Sequence, residues 1–421
     1  MNRIIIIEAL GSGHGLRLVQ RALSTDSEVV FVTESTDRYD FDLSKEILDA
    51  PPENLTVLTG VETTSVDRLE DLLNGRYGNG AAVVSQVDRT ILAVAEACHR
   101  TGHMFLSLQS AQHCVDKGKF RAALRAAGLP GPISATAETE QALAHAIDAV
   151  GVPVILKPCR GTGSVGVRLA WTRDEALRHG KSLIDQGLEI LVESYLLGPL
   201  LSVEAFRDNG HTIILGMTDR VLSDPPFFAE LSWTFPLHLG LKSTTRLREE
   251  AARVLDAVGF DRGAAHLEFI WTADGPVAVE INPRAAGRGL TAMVSDLSPY
   301  DEYELIVAQA MGMPLPAPRN TNRSAFSSEC VIVGPAGHEP APDAVAQVSR
   351  LPGVEHIRLT NPWTPAQAFG GLVDLGEVRA RGQSFGEAQM RARAASQALT
   401  AALIRGERAS EIRSPNTEMA S

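Results

Sequence analysis

The chain has 421 residues, 44% of them hydrophobic and 21% charged, with a net charge of −12. That length and balance suit a globular protein of several domains. The acidic excess argues against non-specific nucleic-acid binding and against an anionic membrane surface, yet leaves room for a local cationic site.

The first third alternates strand and helix. "RIIIIEA" reads as a buried strand, "GSGHG" as a turn and "GLRLVQRALST" as a helix with apolar spacing near 3.6. "EVVFVTES", "NLTVLTG", "GAAVVSQ" and "MFLSLQ" read as further strands, with helices "VDRLEDLLNGR" and "DRTILAVAEACHRTG" between them. This rhythm predicts a parallel sheet covered on both faces. "GSGHG" places Leu16 where a dinucleotide fingerprint needs its third glycine, so it reads first as a tight βα connection.

From residue 113 the pattern becomes α+β. "CVDKGKFRAALRAAGLPGP" is a helix with Asp116 placed to cap it, and "ETEQALAHAIDAVG" is another. "PVILKPCRGTGSVGVRLAW" is strand, glycine loop and strand, followed by a helix capped by Thr172 and the strand "EILVESYL". "LLSVEAFRDNGHTIILGMTDRV" is a hairpin around Asn209-Gly210. After the helix "TRLREEAARVLDAVGF", "AAHLEFIWTADGPVAVEIN" makes a second hairpin. The helix "YDEYELIVAQAMGMPLP" and a linker lead to a third block with strands "SSECVIVGP", "VEHIRLT" and "FGGLVDLGEVRARG" and a final long helix. The expected domains are 1–112, 113–322 with a lid at about 130–195, and 323–405; residues 406–421 read as a disordered tail.

The second hairpin carries the chemistry. Alternate strand residues share a face, so Glu280, Asn282 and Arg284 line up at the end of "VAVEINPRAAGRG". A three-residue loop Ala273-Asp274-Gly275 would set Glu268 opposite Glu280. Two carboxylates and an amide oxygen then converge, and such hard donors favour Mg²⁺ or Mn²⁺; the plain alternative is two unrelated acids on a solvated face. Lys157 ends a strand before a loop in which Gly161, Gly163 and Gly166, with Ser164, can fold backbone N–H groups over phosphate, or simply make a glycine-rich turn. Lys117 alone reads as a surface charge, and Glu193 alone as a linker acid.

In combination, Lys117, Lys157 with its glycine loop, Glu193, Glu268, Glu280, Asn282 and Arg284, in that order, resemble the ATP-grasp superfamily over residues 1 to about 320. The resemblance implies an N-terminal α/β domain, a small lid, a large ATP-binding lobe and a C-terminal α+β block. It implies that Lys117, Lys157, Gly161, Gly163, Ser164 and Gly166 hold ATP phosphates and that Glu193 and Leu196 border adenine. It further implies that Glu268, Glu280 and Asn282 bind Mg²⁺ and that Arg284 acts with Lys157 on the transferred phosphoryl group. The family's ribose glutamate is replaced by Leu200 and Leu201, which makes Glu204 the remaining acid for ATP in that segment. The segment "GMTDRVLSDPPFFAELSWTFPLHL" and the C-terminal block resemble L-amino acid ligases, which would put Phe227, Glu230, Trp233 and His238 near the acyl substrate and let Arg288 hold a carboxylate. Trp233 as core, His238 as a structural histidine and Arg288 as a surface charge are the plain alternatives.

The expected activity is therefore ATP- and Mg²⁺-dependent joining of a small carboxylate to an amine through an acyl-phosphate, an amino acid being one substrate. A biotin-carboxylase-like enzyme and a nucleotide-binding regulator are the competing readings. Four scattered cysteines without a C-x-x-C pair, and no apolar run of ~18 residues, point to a cytoplasmic protein with neither nucleic-acid nor membrane partners; a homodimer is compatible.

Overall fold

The computed structural model describes residues 3–11, 13–40, 42–321, 325–336, 341–359 and 373–412. They form two compact units. The first takes Met1–Arg220 and Phe235–Arg323; the second takes Val221–Thr234 and Ser324–Ser421.

In chain order the elements are β1 (Arg3–Ile7), α1 (Arg17–Leu23), β2 (Glu28–Val32), α2 (Glu46–Asp49), β3 (Leu55–Leu58), α3 (Val66–Asn74), β4 (Ala82–Val84), α4 (Asp88–Thr101), α5 (Leu108–Val115) and α6 (Lys117–Ala126). Next come β5 (Ser134–Ala137), α7 (Glu140–Val150), β6 (Val154–Pro158), β7 (Arg168–Ala170), α8 (Arg173–Ile184), β8 (Ile190–Ser194), β9 (Leu200–Asp208), β10 (His211–Leu222) and β11 (Glu230–Phe235). The chain continues with α9 (Leu241–Ala257), β12 (Gly263–Thr272), β13 (Gly275–Asn282), α10 (Leu290–Leu297), α11 (Glu302–Met311), β14 (Phe326–Gly334), α12 (Pro342–Val348), β15 (Val354–Leu359), β16 (Val373–Gly382) and α13 (Phe385–Ile412).

The first sheet is parallel, in the order β3-β2-β1-β4. Ile4, Ile5, Ile6 and Ile7 have no exposed surface, as befits a strand covered on both faces. The expected strand at "MFLSLQ" is not formed. Ser107 Oγ accepts from Ser110 N and starts α5 instead, because a serine ahead of a helix competes with extended pairing. Asp116 caps α6 through Lys119 N, and Thr172 with Glu175 forms a capping box on α8, both as the sequence indicates.

The lid sheet is antiparallel, in the order β5-β8-β6-β7, with α7, through Leu143, and α8 packed over Val154, Leu156, Ile190 and Val192. In the core of the first unit β13, β12, β9 and β10 pair antiparallel. Val203, Leu267, Phe269 and Ile281 point from one face of these strands into an apolar cluster, against Leu247, Val254 and Leu255 of α9. The other face carries a row of polar side chains at Ser202, Glu204, His266 and Glu268.

Glu268 stands opposite Glu280, the pairing the sequence predicts, but by another route. Thr272 pairs with Gly275, so the turn holds two residues, Ala273 and Asp274. A bulge at Val279 supplies the odd residue that puts the two glutamates on one face.

In the second unit β14, β16 and β15 pair antiparallel, and α13 packs Ala392, Ala395 and Leu399 onto Ile332 and Val378. α12 lies between β14 and β15 in the chain, with Pro342 at its first turn. α13 continues to Ile412, into the expected tail; residues 413–421, like 369–372 of the expected third strand, lie outside the described residues. Among the described residues no helix is long and apolar enough to cross a membrane.

Candidate functional site

The polar face is built by register. Ser202 lies opposite Glu268 and Glu204 opposite His266 across β9 and β12; His266 lies opposite Asn282 and Glu268 opposite Glu280 across β12 and β13. Three adjacent strands therefore present Glu204, His266, Glu268, Glu280 and Asn282 side by side.

His266 joins two of the carboxylates. Its Nδ1 is 2.7 Å from Glu204 Oε2 and its Nε2 is 3.2 Å from Glu268 Oε1. Burial pulls the imidazole down, but the Glu204 charge and the bonds to Glu204 and Glu268 outweigh it and raise His266 to about 9. Burial likewise works against an ionised Glu268, and the His266 bond with the Arg220 and His266 charges reverses that, so Glu268 is held below the usual carboxylate range. Arg220 Nη1 lies 3.5 Å from Glu268 Oε1.

Glu204 is 1% exposed and accepts from Ser202 Oγ at 2.7 Å and Thr218 Oγ1 at 3.0 Å besides facing His266. These hydrogen bonds hold Glu204 against His266. Glu302, the first residue of α11, is buried and well above the usual carboxylate range because of burial and then the Glu204 charge.

Lys117 is no surface charge: it is 6% exposed, and its Nζ donates to Gly161 O at 2.7 Å and stands 3.4 Å from Glu280 Oε1. The glycine loop is thus tied to the acidic ribbon by one ammonium. Within that loop Gly161, Gly163, Ser164 and Gly166 all have positive φ, which lets the strand reverse without closing a regular hairpin. Nor is Glu193 a linker acid. At 3% exposure its Oε2 lies 2.7 Å from Lys157 Nζ, and its Oε1 accepts from Arg121 Nε. Burial opposes its charge, but the Arg121 and Lys157 charges hold Glu193 down at about 2. Burial also lowers Lys157, against the pull of Glu193. Leu196 follows two residues after β8, half-buried.

Arg284 is 8% exposed. Its Nε donates to Asp88 Oδ1 at 2.7 Å and its Nη2 to Asp88 Oδ2 at 2.5 Å, while Gln86 Oε1 accepts from Ala285 N at 2.7 Å. Gln86 in the β4–α4 connection and Asp88 at the start of α4 therefore hold the "PRAA" loop. Lys117, Lys157, Glu193, Glu204, Glu268, Glu280, Asn282 and Arg284 all belong to the first unit.

The acyl-substrate candidates are dispersed. Glu230, half-buried, and Trp233, 1% exposed, fall in the second unit; His238, exposed, and Arg288, half-buried at φ 54°, fall in the first. The burial of Trp233 fits the core alternative. Arg121, Asp88, Gln86, His266 and Arg220 are site residues that sequence reasoning did not single out. For two of them a local signal existed: Arg121 lies one helical turn beyond Lys117 and His266 two residues before Glu268, each on its neighbour's face.

A fold of this kind, with a parallel N-terminal sheet, an antiparallel lid and a polar antiparallel core facing a glycine loop, defines the ATP-grasp class. Residues 150–292 match the ATP-grasp domain, and the chain carries that domain. It is 29% identical over 323 residues to "Uncharacterized protein y4rH" of Sinorhizobium fredii (strain NBRC 101917 / NGR234), a match covering 75% of this chain and 66% of the relative, just under two thirds of its length. An L-amino acid ligase from Bacillus licheniformis superposes with a TM-score of 0.76 at 16% identity, covering 94% of this chain and 97% of that one. A carboxyaminoimidazole ribonucleotide synthase from Aspergillus clavatus, solved with ATP, gives 0.72 at 15% identity, covering 95% and 99%. These two likenesses show the fold.

Proposed function

We propose that this chain is an ATP-dependent, ADP-forming carboxylate–amine ligase acting on small molecules, with an amino acid as one substrate. The observation that carries the reading is the in-register row Glu268, Glu280 and Asn282, with Lys117 against Glu280 and Arg284 two residues beyond Asn282.

The donor set suits Mg²⁺ or Mn²⁺: two carboxylates and a carboxamide oxygen, with Glu268 kept ionised by its neighbours. Among the described residues no group of three or more His, Cys, Asp and Glu is disposed to hold a metal. That accords with a site in which only two carboxylates come from the protein and nucleotide phosphates and water fill the rest. When bound, the metal supplies positive charge at the terminal phosphates of ATP.

The chain's own residues do the rest. Lys117 and Lys157 bind phosphate oxygens, and the Gly161–Gly166 loop covers them and excludes water. The substrate carboxylate displaces ADP at the γ-phosphorus, giving an acyl-phosphate; Arg284 stabilises the oxygens on which charge accumulates. An amine then attacks the acyl carbon and expels phosphate, leaving an amide. Glu193 and Leu196 border adenine, and within the first unit Arg288 and His238 are the substrate-side candidates.

The test is to incubate the purified chain with ATP, Mg²⁺ and panels of amino acids and carboxylates while measuring ADP and phosphate. Release of both that requires an amino acid supports the reading. Release that requires bicarbonate instead indicates a carboxylase-like enzyme, and nucleotide binding without turnover indicates a regulator.

A further inference from the structure

Arg121 lies on α6 one turn beyond Lys117, so the two cations share a helix face. It is 3% exposed. Two of its three nitrogens are spoken for. Nε donates to Glu193 at the end of the lid strand β8, and Nη2 donates at 2.7 Å to the carbonyl of Val279. Val279 is the bulge residue of β13, flanked by the pairs Phe269–Ala278 and Glu268–Glu280, so its carbonyl is free to leave the ladder. The lid strand and the acidic ribbon thereby fix the guanidinium plane from two sides.

The third nitrogen, Nη1, is fully buried and has no hydrogen-bond partner. A buried charged donor left without an acceptor costs several kcal/mol, and in folded proteins such groups find protein, water or ligand. The carboxylate beside it is already shared: Glu193 Oε1 accepts from Arg121 Nε, and Glu193 Oε2 lies 2.7 Å from Lys157 Nζ, while Lys117 faces Glu280. Nη1 is thus left for an acceptor from outside these pairs. Arginine is needed for this geometry, since a lysine ammonium cannot serve β8, the bulge and a third acceptor in one plane.

We propose that Arg121 contacts the nucleotide, with Nη1 donating to an acceptor atom of the bound adenine nucleotide, either N7 of the purine or a phosphate oxygen. This rests on the ATP-binding reading above. It makes Arg121 the residue through which nucleotide, lid and metal-binding ribbon are joined.

The test is calorimetric binding of MgADP, Mg·7-deaza-ADP and adenosine to the full chain and to Arg121→Lys and Arg121→Gln, with thermal melting to verify folding. The wild type is expected to bind ADP roughly tenfold or more tightly than either variant, since each 1.4 kcal/mol is tenfold. Ratios between ligands within one variant cancel any general loss of packing. If the acceptor is the ring nitrogen, the ADP preference over 7-deaza-ADP disappears in both variants. If it is a phosphate, the ADP preference over adenosine shrinks instead. Unchanged ratios for all three ligands overturn the proposal and leave Nη1 to water. Failure of the wild type to bind ADP removes the ATP reading itself, and this inference with it.

Discussion

The carboxylate of Asp88 lies in the fork of the Arg284 guanidinium, two parallel hydrogen bonds of 2.7 and 2.5 Å joining residues 196 positions apart in the chain. Such a bidentate pair fixes both the plane and the direction of the arginine. Burial works against the Arg284 charge, and Asp88 more than compensates, so the guanidinium is more firmly protonated than usual. Under the proposed chemistry Arg284→Lys replaces the fork by a point charge and should lower turnover about 100-fold, the usual effect of losing one transition-state donor. Asp88→Asn keeps the shape and removes the charge. It should lower kcat by about tenfold with little change in KM for ATP, if its role is to aim Arg284. Steady-state phosphate release on both variants checks this, and an unchanged kcat in Asp88→Asn would remove the aiming role.

The acidic ribbon predicts a metal phenotype separable from folding. Glu280→Gln keeps size and hydrogen-bonding capacity but removes one of two protein charges from the donor set. The Mg²⁺ concentration for half-maximal nucleotide binding should rise at least about tenfold. Because Glu280 is only half-buried, the circular dichroism spectrum and melting temperature should change little. A Mg²⁺ dependence identical to wild type would show that the ribbon does not bind the ion.

Acid stability should report on Glu193. Its carboxyl is held at about 2 in the folded chain against 4.5 for an ordinary glutamate, by Arg121 and Lys157 working against burial. A depressed carboxylate contributes its stability in full above the unfolded value and loses it as pH falls from about 4.5 toward 2. The full shift corresponds to about 3 kcal/mol. Denaturant unfolding at pH 7 and at pH 3 should therefore show a smaller pH-dependent loss in Glu193→Gln than in wild type, although the variant is less stable at pH 7 because Lys157 and Arg121 lose their partner. Equal slopes in the two proteins would contradict the ion triad.

Much of this arrangement was legible in the sequence because it is carried by short-range periodicity. The buried run of β1, the caps at Asp116 and Thr172, the Asn209-Gly210 turn and the shared face of Glu268 and Glu280 all follow from spacing within one or two elements. The bulge at Val279 did not, since a three-residue turn and a two-residue turn plus a bulge give the same parity. Arg121, Asp88 and His266 were hidden for a related reason. Each acts on a partner that the fold, not the local chain, brings near: Glu193 72 positions away, Arg284 196 away, Glu204 62 away. A lone arginine on a helix or histidine on a strand carries no signal until its partner is placed. At "MFLSLQ" the apolar alternation was real, but the Ser107 cap settled the segment as the start of a helix.

The glycine-rich turn after β1 gives a last prediction, about stability and not ligand contact. A Cβ on Gly15 would stand 2.0 Å from Leu10 O and 2.7 Å from Leu10 N, both backbone atoms that cannot swing aside. The same turn is pinned by Leu16 N donating to Asp42 Oδ2 at 3.1 Å and by Tyr303 OH donating to His14 O at 3.0 Å. Relief by local movement would thus disturb two further contacts. Gly15→Ala should cost roughly 1–3 kcal/mol, in the range of overpacked sites. Gly131→Ala is the control, since nothing lies within 4 Å of the Cβ it would add. Equilibrium unfolding of the two variants under one set of conditions decides the matter: a loss confined to Gly15→Ala supports close backbone approach as the reason for that glycine, and equal stabilities would remove it.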